Sequence, residues 1–225
     1  MPRENFFNLT IMEKRNFVIA INREFGSGGR EIACKLGKLL GINVYDKDIL
    51  DRLTKQFNLT VEEIESIKAK KTGWWGDFCQ YYRQFSLSRE MCNTVTEDRE
   101  VTSKQIYYAE AQILRDLAEK ESCVIIGRSG FHVFKDNPSA LKIFFIADIN
   151  TRVRHIMNQF ALDEDAARKR IEMVDKAREN YTKTFAGVSR YDARNYDLVI
   201  TVSHVSTADV AAFLAENIRK RYPNL

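Results

Sequence analysis

Short apolar runs alternate along the chain with longer segments in which apolar residues recur at helical spacing. The strand-like runs cover residues 17–21, 42–45, 123–126, 141–146 and 197–200. Helical spacing or capping residues predict helices over 30–40, 102–120 and 163–181, and further helices beginning near positions 48, 60, 150 and 206. Strands that alternate with helices in this way predict a parallel sheet of five strands with helices on both faces, a three-layer α/β/α fold.

Polar segments directly follow four of the predicted strands. They are the glycine-rich stretch after the first strand, Asp46 after the second, Gly127 and Arg128 after the third, and the turn after Ala147. In a parallel sheet the carboxyl ends of the strands share one edge, and ligands bind beyond that edge. We therefore expect the four segments to form one site.

The glycine-rich stretch is the strongest chemical signal in the sequence. Gly26, Gly28 and Gly29 fall within four positions, after an apolar strand and before a helix. Glycines let successive backbone N–H groups turn toward one anion, and the N-terminus of the following helix offers its positive end to the same anion. The stretch therefore predicts a phosphate-binding loop.

The spacing of this loop is close to the P-loop pattern G-x-x-x-x-G-K-[ST]. With Gly29 as the second glycine of the pattern, Glu24 occupies the position of the first glycine. Arg30 occupies the position of the lysine, and Glu31 that of the metal-binding serine or threonine. Ser27 is the hydroxyl residue inside the loop. The pattern leaves two interpretations, a working variant of the loop or a phosphate site that has lost its chemistry.

Composition and charge narrow the classes of partner. The 225 residues carry a net charge of +4 without a basic tail, so nucleic acid is not an expected partner. Four scattered cysteines suggest neither a zinc site nor a disulfide framework, and they favour the reducing cytoplasm. No apolar segment approaches the roughly 20 residues of a membrane helix, so we expect no membrane association.

The chain is expected to form one domain. Residues 1–15 read as an N-terminal extension, and residues 16–225 carry the alternating strands and helices without a linker between them. Residues 71–100 mix aromatic and charged positions without a clear period, which indicates an inserted cap or a partner surface.

Several of these segments occur together in the order found in one enzyme family. They are NREFGSGGREIA, VYDKDIL, VIIGRSGFHVFKDNPSALKIFFIAD, DKAREN and YDLVITVSHVS. Over about residues 16–220 the chain resembles the cytidylate kinases, and most closely the cytidylate kinase-like family of nucleoside monophosphate kinases. The resemblance implies a P-loop NTPase fold, ATP as co-substrate with Mg²⁺, and transfer to a small-molecule nucleotide such as CMP or dCMP. It also implies that about residues 46–100 bind the acceptor and about residues 150–190 form a lid.

The same resemblance implies roles for individual residues. Arg128 would clamp the acceptor phosphate with its planar guanidinium, beside Asp46 and Ser129. In the lid, Arg178 would reach the transferring phosphoryl group, and Asp175 would orient the acceptor or its arginine partners. Arg30 would take the place of the P-loop lysine, which makes it, with Arg128, Asp175 and Arg178, an implied catalytic residue. The residues that would contact ATP are Gly26, Ser27, Gly28, Gly29, Arg30 and Glu31.

Departures from the family pattern keep other hypotheses open. Glu31 replaces a hydroxyl, Ser129 stands where cytidylate kinases have aspartate, and Ile171 stands where they have a lid arginine. One alternative is a nucleotide-binding regulatory module with little or no turnover, and another is a P-loop kinase for a different small acceptor. Arg128 and Asp46 also have structural interpretations, as an ion-pair former and a helix cap. The sequence leaves the acceptor, the metal ligands and the oligomeric state open.

Overall fold

The computed structural model describes residues 16–46, 48–70 and 101–222. The predicted N-terminal extension and the aromatic segment 71–100 lie outside the described residues. The rest of the chain alternates strands and helices as the apolar pattern predicts. The strands are β1 (Val18–Arg23), β2 (Asn43–Tyr45), β3 (Cys123–Ile126), β4 (Ala140–Ile146) and β5 (Leu198–Thr201).

Helices connect these strands. They are α1 (Gly29–Leu40), α2 (Asp48–Phe57), α3 (Val61–Lys70), α4 (Ser103–Lys120), α5 (Gly130–Val133), α6 (Ile149–Phe160), α7 (Glu164–Ala186) and α8 (Thr207–Arg221). A short 3₁₀ turn, Ala193–Asn195, precedes β5.

The sheet is parallel throughout, with strand order β2-β3-β1-β4-β5. The prediction of a five-stranded parallel sheet in a three-layer α/β/α fold is confirmed. β1 lies at the centre, so its last residue, Arg23, and the glycine loop that follows it emerge between the ends of β3 and β4.

Two apolar cores cover the two faces of the sheet. Alternate residues of β1 point to opposite faces, so Ile19 and Ile21 pack with α1 and α8 while Val18 and Ala20 pack with α2 and α4. Both sets are almost completely buried. Strands covered on both faces need to be apolar along their whole length, which is why these segments read as continuous apolar runs.

Capping residues fix several helix ends where the sequence predicts them. At α3, the Thr60 hydroxyl accepts from the Glu63 N–H at 3.2 Å, and the Glu63 carboxylate accepts from the Thr60 N–H at 2.7 Å, a capping box. At α8, the Ser206 hydroxyl accepts from the Asp209 N–H at 3.1 Å. α7 continues past the predicted end at position 181 and stops at Gly187, which caps it in a left-handed conformation.

Candidate functional site

The glycine loop turns sharply between β1 and α1. Gly26 and Gly28 have φ angles of 84° and 80°, a left-handed conformation that favours glycine. Helix α1 begins directly after them, at Gly29, so the loop lies against a helix N-terminus. Within the loop, the Ser27 N–H donates to the Glu24 carbonyl at 3.3 Å and the Gly29 N–H to the Ser27 hydroxyl at 3.4 Å. The hydroxyl of Ser27 is buried and donates to the carbonyl of Glu24 at 2.9 Å, so it closes the loop on itself.

Two side chains from the following helices hold this loop. The Asp175 carboxylate of α7 accepts from the Phe25 N–H at 3.0 Å, and Nε of Arg152 in α6 donates to the Phe25 carbonyl at 2.8 Å. Arg152 and Asp175 also pair with each other, and Arg152 lies 3.2 Å from the Glu24 carboxylate. Asp175, predicted in the lid, is therefore a buried contact between α7 and the glycine loop.

The predicted Gly-Arg segment makes a tight turn after β3. Gly127, Arg128 and Ser129 have φ angles of 75°, 55° and 52°, so three consecutive residues are left-handed. For Arg128 and Ser129 this conformation is uncommon and carries strain. The turn directs the Arg128 guanidinium toward Glu65 of α3 and Glu110 of α4, at 3.1 Å and 3.0 Å.

Glu110 is the centre of this buried cluster. Its carboxylate lies 2.7 Å from the Lys68 ammonium and accepts from the Tyr181 hydroxyl at 2.6 Å. Burial disfavours the charge of Glu110, but Lys68 and Arg128 hold its pKa below the ordinary value. Burial likewise opposes the charge of Arg128, and Glu110 and Glu65 raise the pKa of Arg128 above its ordinary value. Both groups are thus ionised at neutral pH.

A cavity of about 260 Å³ opens between the end of β1, the Gly-Arg turn, α3 and α7. Its charged lining residues are Arg23, Lys68, Arg128, Arg178, Arg190, Asp46 and Glu65. Five cationic side chains against two carboxylates give the cavity an excess of positive charge. The arrangement fits an anionic ligand, and planar guanidinium groups fit the oxygens of phosphate in particular.

Two further arginines of the cavity come from α7 and from the loop that follows it. The Arg178 side chain is 30% exposed, and its Nη1 lies 3.8 Å from Asp175. The Arg190 side chain is only 2% exposed, and its Nη2 donates to the carbonyl of Arg23 at 2.5 Å. Nη1 of Arg190 is 3.6 Å from Asp175 but makes no hydrogen bond within the described residues. Asp175 therefore lies among three arginine side chains, those of Arg152, Arg178 and Arg190.

The remaining predicted residues divide between the cavity and the protein surface. Asp46 and Ser129 line the cavity, and the buried Ser129 hydroxyl has no hydrogen-bond partner among the described residues. Arg30 is 57% exposed, and its Nε pairs with Asp46 at 2.9 Å. Glu31 does not line the cavity and binds Lys35 and Thr207, each at 2.8 Å, which hold the pKa of Glu31 below its ordinary value.

The described residues do not form a dedicated magnesium site at the loop. No group of three or more His, Cys, Asp or Glu side chains able to hold a metal occurs over 16–46, 48–70 and 101–222. The carboxylates of Glu24, Glu31 and Asp46 each lie within 3.2 Å of a cationic side chain, and the Ser27 hydroxyl donates within its own loop.

The helices of the described residues were also compared with membrane spans. None of them combines the length and the apolar character that a membrane-crossing helix needs.

The sequence does not single out several residues of this site, among them Glu65 and Lys68 of the buried cluster. Arg23 is the last residue of β1, and a charged residue at the end of an apolar strand could have indicated a place in the site. Glu110 falls on the apolar stripe of α4, where a carboxylate also signals a buried partner. Arg152 and Arg190 lie on a helix and in a loop without a distinguishing pattern, and only the tertiary structure identifies them.

Comparisons with known proteins place the chain among kinases. The sequence pattern of the cytidylate kinase-like family matches residues 18–204. The cytidylate kinase of Thermoplasma acidophilum is 23% identical over 203 residues, which cover 89% of this chain and 91% of that protein. The crystal structure of an uncharacterised protein from Eubacterium ventriosum superposes with a TM-score of 0.66 and 26% identity, covering 92% of this chain and 100% of that one.

A second curated relative matches over a shorter stretch. The uronate isomerase of Corynebacterium glutamicum is 30% identical over 114 residues, which are 50% of this chain. The chain spans only 22% of the length of that protein. The full-length matches therefore guide the interpretation, and family and fold together support a kinase of a nucleotide or another small molecule.

Proposed function

The chain belongs to the cytidylate kinase-like family, and we propose that it transfers the γ-phosphoryl group of ATP to a nucleoside monophosphate, with CMP and dCMP as the first candidates. The observation that carries the proposal is the convergence of four arginines on one cavity beside the glycine loop. Phosphoryl transfer between two polyanions requires this kind of charge, because catalysis consists largely of positioning and charge neutralisation.

In the proposed reaction, a phosphate oxygen of the monophosphate attacks the γ-phosphorus of ATP. A new P–O bond forms, the bond between the γ-phosphorus and the β,γ-bridging oxygen breaks, and ADP leaves with that electron pair. The attacking oxygen belongs to a phosphate that is already ionised, so the step requires no protein base. Mg²⁺ would enter bound to the ATP phosphates, since Mg²⁺ commonly keeps substrate phosphates and water as ligands.

The site divides into a donor side and an acceptor side in this proposal. The donor phosphates lie over residues 26–29, where backbone N–H groups meet the N-terminus of α1. Arg30 and Glu31 extend from the same turn, and Arg30 reaches Asp46 on the acceptor side. Arg128, which Glu65 and Glu110 hold at the cavity wall, faces the acceptor phosphate. Arg178 lies on α7 between the two sides.

The contacts of two acidic residues favour a kinase over a regulatory module. Glu24 and Glu31 raise the alternative because carboxylates beside a triphosphate would repel it. Glu24 lies against Arg152, and Glu31 binds Lys35 and Thr207 outside the cavity. Both carboxylates therefore pair with cations of the protein itself, which weakens the repulsion that they would exert on a triphosphate. Arg30 in place of the lysine is the remaining ground for the regulatory alternative.

A coupled assay of ADP release tests the proposal. The full chain is supplied with Mg²⁺ and either ATP or GTP, and with each ribonucleoside and deoxyribonucleoside monophosphate in turn. We expect turnover with at least one monophosphate, with CMP or dCMP the best. Calorimetry that detects tight nucleotide binding without any turnover would instead support the regulatory module. Turnover of another small acceptor alone would assign the chain to a different kinase class.

The variant Arg178→Gln tests the catalytic role of the lid helix. The cation would meet charge that develops during transfer, so its loss should lower kcat by about 100-fold with a smaller change in KM for ATP. Arg194→Gln is the matched control, because the Arg194 side chain is 89% exposed and, among the described residues, forms its ion pair with Asp192 alone. A normal kcat in Arg178→Gln would exclude Arg178 from the reaction.

A further inference from the structure

Arg23 is a guanidinium inside the cavity without a close partner. No hydrogen bond or ion pair engages it within the described ranges. The guanidiniums of Arg178, Arg190 and Arg128 and the carboxylate of Asp46 act on it electrostatically. Burial, followed by the charge of Arg178, lowers the pKa of Arg23 well below its ordinary value. An arginine stays protonated in proteins, so three like charges act on Arg23, and the Asp46 carboxylate opposes them in part. An entering anion would reduce the repulsion that remains.

Two glycines make room for the Arg23 side chain. A Cβ atom added at Gly29 would lie 2.7 Å from Cβ and 3.1 Å from Cγ of Arg23. A Cβ atom added at Gly127 would lie 2.4 Å from Nη1 of Arg23. The stem of Arg23 therefore passes beneath the first turn of α1, and its guanidinium lies over the end of β3. It occupies the gap between the glycine loop and the Gly-Arg turn.

This geometry changes the register in which the loop matches the P-loop pattern. If the first position of the pattern is Arg23 instead of Glu24, Gly28 occupies the position of the second glycine and Gly29 the position of the lysine. Gly28 is the residue directly before α1, and the Cβ direction of Gly29 points at the Arg23 stem rather than outward. Arg30, in contrast, is 57% exposed and turned to Asp46. Within this loop, the cation that reaches into the cavity therefore comes from the end of β1.

We propose that Arg23 supplies the phosphate-binding charge that a lysine at position 29 would supply in the P-loop pattern. The cation then stands at the end of the strand, where the pattern has a glycine, and a glycine stands at the start of the helix, where the pattern has the lysine. The inference rests on the proposed function for the identity of the ligand as a nucleotide. Its ligand class is a phosphate group between the glycine loop and the Gly-Arg turn. Arg190 supports this placement, because its Nη1 is buried at the same wall and lacks a hydrogen bond there.

Binding of pyrophosphate and of Mg²⁺·ATP, measured by calorimetry on the full chain, tests the role of Arg23. Loss of a charge-assisted pair of hydrogen bonds should weaken pyrophosphate binding by about tenfold to 100-fold in Arg23→Gln. Arg23→Lys should retain part of the affinity, since lysine keeps the charge without the planar fork. Circular dichroism confirms folding, and Arg194→Gln controls for the loss of one positive charge.

Arg30→Gln separates the two registers of the loop. We expect it to weaken pyrophosphate binding less than Arg23→Gln does. The reverse order, or unchanged binding in Arg23→Gln, would overturn the inference and return the phosphate-binding role to Arg30.

The exchange itself can be reversed in a double variant. Arg23→Gly removes the cation and the Arg23 stem that crowds position 29, which leaves Phe145 Cδ2 at 3.1 Å as the close neighbour of a Cβ atom there. Gly29→Lys then places a lysine where the pattern has one. The double variant should bind pyrophosphate about tenfold more tightly than Arg23→Gly alone. Equal affinity of the two would contradict the exchange.

The outcomes distinguish this inference from the proposed function. If the unmodified protein turns over no monophosphate but Arg23→Gln still loses pyrophosphate binding, the kinase proposal fails and the role of Arg23 stands. If the protein is an active kinase and Arg23→Gln binds pyrophosphate and ATP normally, the role of Arg23 fails and the kinase proposal stands.

Discussion

Glu110 is a buried carboxylate that contacts Lys68, Arg128 and Tyr181 at distances of 2.7, 3.0 and 2.6 Å. Removing one partner from a buried ion pair is costly, because the remaining charges stay desolvated without compensation. Glu110→Gln would leave Lys68 and Arg128 with no full negative charge from α4. We expect the variant to lose about 3–5 kcal/mol of unfolding free energy in urea denaturation. Glu119→Gln, an exposed change on the same helix, should stay within about 0.5 kcal/mol; equal effects of the two would contradict the cluster's role.

The glycine loop is the element in which backbone conformation and side-chain contacts are most closely linked. Gly26 has a φ angle of 84°, and a Cβ atom added there would lie 2.8 Å from the Arg152 carbonyl oxygen. Gly41, at the end of α1, has a φ angle of 68° and open space around the same direction. The two positions therefore separate the cost of a left-handed alanine from the cost of crowding the loop.

Gly26→Ala should destabilise the protein by more than Gly41→Ala, which we expect to lose about 1 kcal/mol through the left-handed backbone alone. Only Gly26→Ala should also weaken ATP binding, because the loop must shift away from Arg152 to accommodate the methyl group. Urea denaturation and calorimetry on both variants check this expectation. Unchanged ATP affinity in a folded Gly26→Ala protein would place the donor phosphates elsewhere.

At the level of elements, the spacing of apolar residues along the sequence and the helix-capping residues predicted most of the fold. The runs of β1, β3 and β4 needed no tertiary information, because burial on both faces favours apolar residues along most of a strand. The edge strands β2 and β5 are more exposed, and their apolar residues alone indicated them. The predicted end of α7, at position 181, is five residues too early, and the glycine at 187 is the better signal for the end of this helix.

The candidate site was harder to predict, since it depends on which side chains the topology brings together. The position of Asp175 on the glycine loop joins residues 150 positions apart, which no local pattern contains. Arg23 escaped detection because the motif was counted from Gly29, and only the direction of the Gly29 Cβ indicates the other register.

At the scale of the whole molecule, acid should unfold the protein because several carboxylates have lowered pKa values. Burial opposes the charge of Glu110 and Glu179, but neighbouring cations and hydrogen bonds hold the pKa of each below the ordinary glutamate value of 4.5. A carboxylate with a lowered pKa in the folded state stabilises that state above its unfolded pKa, and this contribution is lost as pH falls. We therefore expect the unfolding free energy to decrease as the pH drops below about 5, with the loss continuing toward about pH 3. Urea denaturation across this range should give a shallower decrease for Glu110→Gln than for the unmodified protein, because the variant has one fewer such group. Parallel curves would show that the Glu110 cluster makes no net contribution to the acid sensitivity.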